Sequence, residues 1–240
     1  PVNRIAAAIG RLHRFAAIRD RDLRRKLTPS YDFGCKRPTL SNVYYRTFNK
    51  PHVHLETAGI DRIEADGIVG ADGTKRVIDT LVLATGFDAI SGSMLRLNPK
   101  GRGGMSLKER WTDRFHNYLG LTISGFPNLF MIHGPGSPGV FYNMPLGAER
   151  ETEWIGNCVR YLRERGLGAI EPTPDAEKNW DREITELANE TLYPLTDSWD
   201  TGANIPGKPR VFMPYLGFPP YAEKCKQVAD NDYQGFELSA

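Results

Sequence analysis

Ile78, Leu81, Val82 and Leu83 make a nearly continuous apolar run, and the run stops on Ala84-Thr85-Gly86-Phe87-Asp88. A strand with apolar side chains on successive positions is buried on both faces, as in sheets covered by helices on each side. Small residues after such a strand let a ligand or another backbone approach closely. The run therefore predicts an α/β fold, with a buried strand over Val77–Leu83 and a ligand-facing turn behind it. From the residues alone the turn reads equally well as a tight strand-to-loop connection.

Helical and hairpin signals surround this strand. Ile5, Ile9, Leu12, Phe15 and Ala16 recur at helical spacing and predict one basic helix over Asn3–Leu27, ended by Thr28-Pro29-Ser30. Its arginines read as a solvated face. Asp66-Gly67 and Asp72-Gly73 predict a small antiparallel excursion over Ile60–Ile78. Val53–Glu56, Leu119–Ser124 and Asn128–His133 are further strand candidates, and Leu107–Trp111 is a helical turn. Trp154, Ile155, Cys158, Val159 and Leu162 line one side of a helix over Glu149–Arg165 that Gly166 ends. Pro174–Leu192 predicts another helix, with Asp175 as its cap. The tail from Tyr193 carries six prolines and reads as loop.

Charge and cysteine content exclude several function classes. The net charge of +2 is too even for a nucleic-acid partner, and no apolar run reaches the ~18 residues of a membrane span. Three cysteines at unrelated spacings point to a reducing, cytoplasmic setting. His52 and His54 share a strand face but lack a third ligand, so no metal site is expected. The chain starts at Pro1, which reads as a fragment lacking its natural N-terminus.

Four motifs carry the chemistry. The first is Ala84–Asp88. The second, Gly134-Pro135-Gly136-Ser137-Pro138-Gly139, fits the GxGxxG spacing of a pyrophosphate turn. Pro135 and Pro138 remove the amides that would face phosphate, and the helix is delayed to about Met144, so that reading is set aside. Asn143-Met144-Pro145 instead predicts a helix start with free N–H groups and partial positive charge. The third is Gly34-Cys35-Lys36-Arg37, followed by Tyr44-Tyr45 and Phe48-Asn49. The fourth is Ser198-Trp199-Asp200-Thr201-Gly202 running on to Lys208-Pro209-Arg210. By composition the third and fourth are solvated loops.

Taken in order, these motifs resemble the class B flavoprotein monooxygenases, and within them the Baeyer–Villiger enzymes of the phenylacetone and cyclohexanone monooxygenase type. The resemblance runs from about Leu27 to the end of the chain, departing where Gly217-Phe218 stands for the family's Gly-Gly pair. It implies a flavoprotein with two Rossmann-like dinucleotide-binding domains, present as a C-terminal portion. Residues 1–84 would be the end of the NADP domain, and 85–240 the end of the FAD domain with a mobile loop over about 196–210.

The implied cofactors are FAD and NADP, and the implied partners are O2 and a ketone or sulfide. Arg37 would be catalytic, and Lys36, Arg37, Trp199 and Lys208 would meet NADP. Thr85, Gly86, Asp88, Asn143 and Met144 would meet FAD, while Val140, Phe141 and Tyr142 would line the substrate pocket. The implied reaction inserts one oxygen atom into a ketone, with sulfoxidation as a side activity. Without the glycine-rich turns for FAD and NADP the fragment alone is expected to be inactive. The alternatives are an N- or S-oxygenating flavin monooxygenase, and a non-catalytic remnant that packs on a partner.

Overall fold

A computed structural model describes residues 2–138, 142–214 and 217–240. The chain forms two units, Pro1–Gly86 and Phe87–Ala240.

In the first unit the expected basic helix is broken in two. Helix α1 spans Val2–Ala17 and α2 spans Arg21–Lys26. Asp20 causes the break: its carboxylate accepts from the Leu23 N–H at 2.7 Å and starts a new helix. The apolar stripe of α1 is not covered within this unit, with Ile5, Ile9, Leu12 and Phe15 all 62–69% exposed. Helix α3 (Tyr44–Thr47) is tied to the end of α1 through Asn49, which donates to the Ala17 carbonyl at 2.7 Å and accepts from the Arg19 N–H at 3.1 Å.

Strands β1 (Ile60–Glu64), β2 (Gly67–Gly70) and β3 (Lys75–Val77) form the expected antiparallel excursion in the order β1-β2-β3. The second turn uses Gly73 at φ 78°, a left-handed conformation glycine adopts without strain. Val53–Glu56 is irregular rather than a strand.

The strand expected over Val77–Leu83 does not form. Pairing ends at Val77, and Val82, Leu83 and Phe87 are 80%, 72% and 89% exposed. The cause is physical: a parallel strand needs neighbours brought from elsewhere by a crossover. Beyond Ile78, whose N–H still bonds the Asp66 carbonyl at 3.1 Å, no described residue pairs with the segment as a strand, so its apolar faces stay open.

The second unit has its own core. Helices α4 (Gly92–Leu97) and α5 (Leu107–Arg110) come first. Ser106 and Glu109 form a reciprocal cap on α5. Helix α6 covers Met144–Glu164, followed by β4 (Ala169–Pro172), α7 (Pro174–Asn189), α8 (Phe218–Asp230) and β5 (Phe236–Ser239). Strands β4 and β5 pair antiparallel, with Ile170 opposite Leu238. Thr173, not Asp175, caps α7 by accepting from the Ala176 N–H at 3.1 Å.

Gly147, Glu151, Trp154, Cys158 and Leu162 form the buried side of α6. They face a cluster containing Tyr118, Leu121, Ile170, Trp180, Ile184, Tyr221, Cys225 and Tyr233. Leu119–Ser124 is largely buried and Asn128–His133 is half-buried around Met131, but neither is a strand. Leu119, Asn128 and His133 have φ of 60°, 58° and 55°, which breaks the extended path, and the Met131 N–H to Leu121 carbonyl bond (2.8 Å) links the two segments.

Candidate functional site

In the first unit, Cys35 is buried and anchors the third motif, its N–H bonding the Asp32 carbonyl at 3.2 Å. Lys36 rests its ammonium 4.7 Å from the Tyr31 ring centre, a cation–π contact. Arg37 is exposed, and no described residue engages its guanidinium. Tyr44 meets Tyr45 at 5.4 Å and Phe48 at 5.3 Å, so the aromatic residues after the motif pack on one another. Thr85 and Gly86 are exposed, Gly86 at φ 84°.

In the second unit, the Gly134–Pro138 loop lies directly on the Asn117–Gly120 backbone. A Cβ on Gly134 would meet the Gly120 carbonyl at 2.4 Å, and a Cβ on Gly120 would meet the Ser137 amide at 2.4 Å. Asn117 fixes this contact by accepting from the Gly120 N–H and donating to the Phe115 carbonyl, each at 2.7 Å. The glycines therefore serve backbone packing. The Ser137 hydroxyl is buried and has no hydrogen-bond partner among the described residues.

Helix α6 starts as expected. Asn143 accepts from the Leu146 N–H at 3.1 Å through its side chain and from the Gly147 N–H at 3.0 Å through its carbonyl. Pro145 has no N–H, which leaves the Met144 amide as the one first-turn donor that no described residue takes up.

Two expected contact residues are brought together rather than left open. The Lys208 ammonium pairs with the Asp88 carboxylate and donates to the Ala89 carbonyl at 2.8 Å, with its side chain only 6% exposed. The 196–210 loop is folded: the Thr201 hydroxyl and the Ala203 N–H both donate to the Ser198 carbonyl at 3.0 Å, and the Val211 N–H to the Thr201 carbonyl at 3.1 Å. Trp199 is half-buried, while the Ser198 hydroxyl and one Asp200 carboxylate oxygen are buried without a partner among the described residues.

Val140 and Phe141 lie outside the described residues. Tyr142, the third expected pocket residue, is half-buried. Its ring stacks on Phe218 at 4.5 Å, and its hydroxyl turns inward to His133 and Glu151.

His133, Tyr142 and Glu151 form a polar cluster that sequence reasoning missed. The His133 backbone N–H donates to Glu151 Oε2 at 2.8 Å. His133 Nε2 lies 2.9 Å from the Met144 carbonyl, and Nδ1 lies 3.1 Å from the Tyr142 hydroxyl. Burial raises the Glu151 carboxyl above its ordinary value, against the pull of the His133 N–H. The signal was present: Glu151 falls on the apolar stripe Gly147-Trp154-Cys158-Leu162, where a carboxylate is out of place without a partner.

No family model matches the chain. A phenazine N-monooxygenase from Lysobacter antibioticus is 39% identical over 225 residues, 92% of this chain and 41% of that protein. A cyclohexanone 1,2-monooxygenase from Acinetobacter sp. is 36% identical over 228 residues, again 92% and 41%. The crystal structure of cyclohexanone monooxygenase from Rhodococcus sp. Phi1 bound to NADP+ superposes with a TM-score of 0.93 at 39% identity, covering 99% of this chain and 45% of that one. The chain thus spans about two fifths of the length of the curated relatives it matches.

Proposed function

This chain is a relative of the Baeyer–Villiger flavin monooxygenases along about nine tenths of its length, and we propose that, within a longer protein, it takes part in inserting oxygen into ketones. Ketone, O2, NADPH and a proton would give ester or lactone, NADP+ and water. One observation carries the reading: a chain 39% identical to an NADP-bound cyclohexanone monooxygenase also holds Lys36-Arg37, Ala84–Asp88, Asn143-Met144 and Trp199 in the family's order.

FAD, reduced by NADPH, supplies the activation of O2 that no amino-acid side chain provides. The second unit suits such a group. It offers a Met144 amide at the positive end of a 21-residue helix and a buried Ser137 hydroxyl, neither of which has a partner among the described residues. Reduced flavin carries negative charge at its pyrimidine edge, which that amide would stabilise, with Asn143 holding the helix start in place.

Arg37 would steady the negative charge that develops as oxygen passes to the carbonyl, since a guanidinium stays charged and presents a fixed fork of donors. Lys36 would add charge toward the 2′-phosphate of NADP. In this reading Lys208 acts on the dinucleotide indirectly. It pins the 196–210 loop to Asp88, and Trp199 then covers the cofactor and keeps water out. Aryl ketones and sulfides are the proposed substrate class, through Phe141 beside Val140.

Arg37→Ala tests the assignment in the protein expressed from its full reading frame. Ester formation should be lost while NADPH oxidation continues. A second reading, N-oxygenation, draws on the 39% identity to a phenazine N-monooxygenase. It predicts N-oxide formation that survives Arg37→Ala, and no ester from the unaltered protein.

A further inference from the structure

Glu151 is a carboxyl on a helix face that is otherwise apolar. It lies on the buried side of α6 between Gly147 and Trp154, and its side chain is 2% exposed. No lysine or arginine among the described residues pairs with it. One firm donor reaches it, the His133 backbone N–H at 2.8 Å from Oε2, and this bond holds the left-handed turn at His133 (φ 55°). The other oxygen, Oε1, has the Tyr142 hydroxyl at 3.5 Å, long for a hydrogen bond. An ionised carboxylate served this poorly in a buried place is costly, so burial favours the acid form.

Tyr142 and His133 lead from this carboxyl toward water. The Tyr142 hydroxyl lies 3.1 Å from His133 Nδ1, and the imidazole side chain is 17% exposed. The Met144 carbonyl, 2.9 Å from Nε2, can only accept, so Nε2 carries a proton. In the neutral ring Nδ1 is then an acceptor and takes the Tyr142 O–H. Glu151 Oε1, the phenol oxygen and Nδ1 thus follow one another, and the histidine at the end is the member of this ion-pair contact that water reaches more readily.

We propose that Glu151 is a buried proton-storage site, and that Tyr142 and His133 form the relay through which its proton exchanges with water. In one passage the Glu151 Oε1–H bond breaks as a new O–H bond forms on Tyr142. The original Tyr142 O–H bond breaks in turn, and an Nδ1–H bond forms. The product is a carboxylate facing an imidazolium, with Oε2 3.4 Å from Nδ1, so each charge appears beside its opposite. Water then takes the proton from the ring, and the reverse sequence refills the site. None of these steps involves a cofactor or a ketone, so the site stands whether or not the ketone-oxygenating reading does.

The surroundings close the other routes. A Cβ on Gly147 would fall 1.8 Å from Tyr142 Cε2 and 2.1 Å from its hydroxyl oxygen, so glycine lets the phenol lie against α6. Phe218 of α8 stacks on the same ring at 4.5 Å. Tyr221 and Cys225 of α8 are the other titratable groups facing the carboxyl. The Tyr221 hydroxyl donates to the Leu119 carbonyl at 2.9 Å, and burial pushes the Cys225 thiol up to about 12, so both keep their protons. The charged neighbours are engaged elsewhere: Arg150 with Glu153 on the exposed side of α6, and Lys224 with Glu183.

Infrared spectroscopy of the protein from the full reading frame tests the proposal. A protonated carboxyl has a C=O stretch separate from the amide and carboxylate bands. At about pH 6, where exposed carboxyls are ionised, the spectrum of the unaltered protein minus that of Glu151→Gln should contain one such band. Carbon-13 labelling of glutamate should move the band and Glu177→Gln should leave it in place, which decides the matter even if Glu151→Gln does not fold. On transfer to D2O the band should shift as the proton exchanges. Tyr142→Phe should slow that shift about a hundredfold, the lower end of what a positioned proton donor contributes, and His133→Gln should slow it as well. Absence of the band would overturn the storage site. Exchange as fast in both variants as in the unaltered protein would overturn the relay.

Discussion

Arg110→Ala should destabilise the second unit sharply, and in a pH-dependent way. Glu177 is buried on α7, with its side chain 3% exposed; it pairs with Arg110 and accepts from the Ser124 N–H at 2.7 Å. It thereby holds the backbone of the Leu119–Ser124 segment, which the Gly134–Pro138 loop packs against near its start. Removing one partner of a buried ion pair costs about 3–5 kcal/mol, because the other charge stays desolvated and unpaired. The Arg110 side chain is 22% exposed, and Ser124 still serves the carboxylate, so the low end, about 3 kcal/mol, applies.

For a unit of this size that is roughly 6–12 °C in Tm. Burial raises the Glu177 carboxyl above its ordinary value of 4.5, against the pull of Ser124 and Arg110. For an acid whose folded value is raised, stability is greatest below the unfolded value and is lost as pH rises through the folded one. Losing Arg110 removes part of the opposing pull, so the deficit should be large at neutral pH and should shrink toward pH 4.5. Glu177→Gln keeps an acceptor for Ser124, carries no charge, and should cost only about 1 kcal/mol. Calorimetry at the two pH values decides. A drop under about 2 °C, or an equal drop at both, would refute the reasoning.

Other predictions follow from the same packing. Burial pushes the Cys158 thiol up to about 11 and the Cys225 thiol up to about 12, so both should resist a thiol reagent at neutral pH until the unit unfolds. Labelling of either faster than global unfolding would contradict their placement. Lys208→Met should leave Asp88 unpaired and speed hydrogen exchange at the Ala203 and Val211 amides; unchanged exchange would show that the loop does not depend on the pair. Gly120→Ala should cost more than about 2 kcal/mol in a denaturant melt, since its φ of 70° and the Ser137 amide both exclude a Cβ. Full stability in that variant would mean that the loop does not rest on this backbone.

Local signals were legible in the sequence, and long-range partners were not. Asn143-Met144-Pro145 announced the start of α6, and the Asp-Gly pairs announced the turns of β1-β2-β3. The two prolines at positions 219 and 220 were read as loop, although they occupy the first turn of α8, where a missing N–H costs nothing. Pairing of Ile170 with Leu238 joins positions far apart, and no local pattern encodes it. The apolar run to Leu83 was read as a buried strand and forms none, because a parallel strand exists only where a crossover brings it neighbours. Of the expected site, the sequence placed Met144 at a helix start but did not show that Lys208 would close on Asp88 or that Tyr142 would turn inward. Those outcomes depend on contacts 120 and 9 positions away, made by polar side chains that look ordinary in isolation.

The most direct test of the ketone-oxygenating reading is isotopic. The protein from the full reading frame would be supplied with NADPH, cyclohexanone and oxygen-18 gas, and its products analysed by mass spectrometry. The reading predicts a lactone carrying one labelled oxygen atom, formed in step with NADPH consumption. NADPH consumed with hydrogen peroxide as the sole oxygen product, or no lactone from cyclohexanone or an aryl ketone, would contradict it.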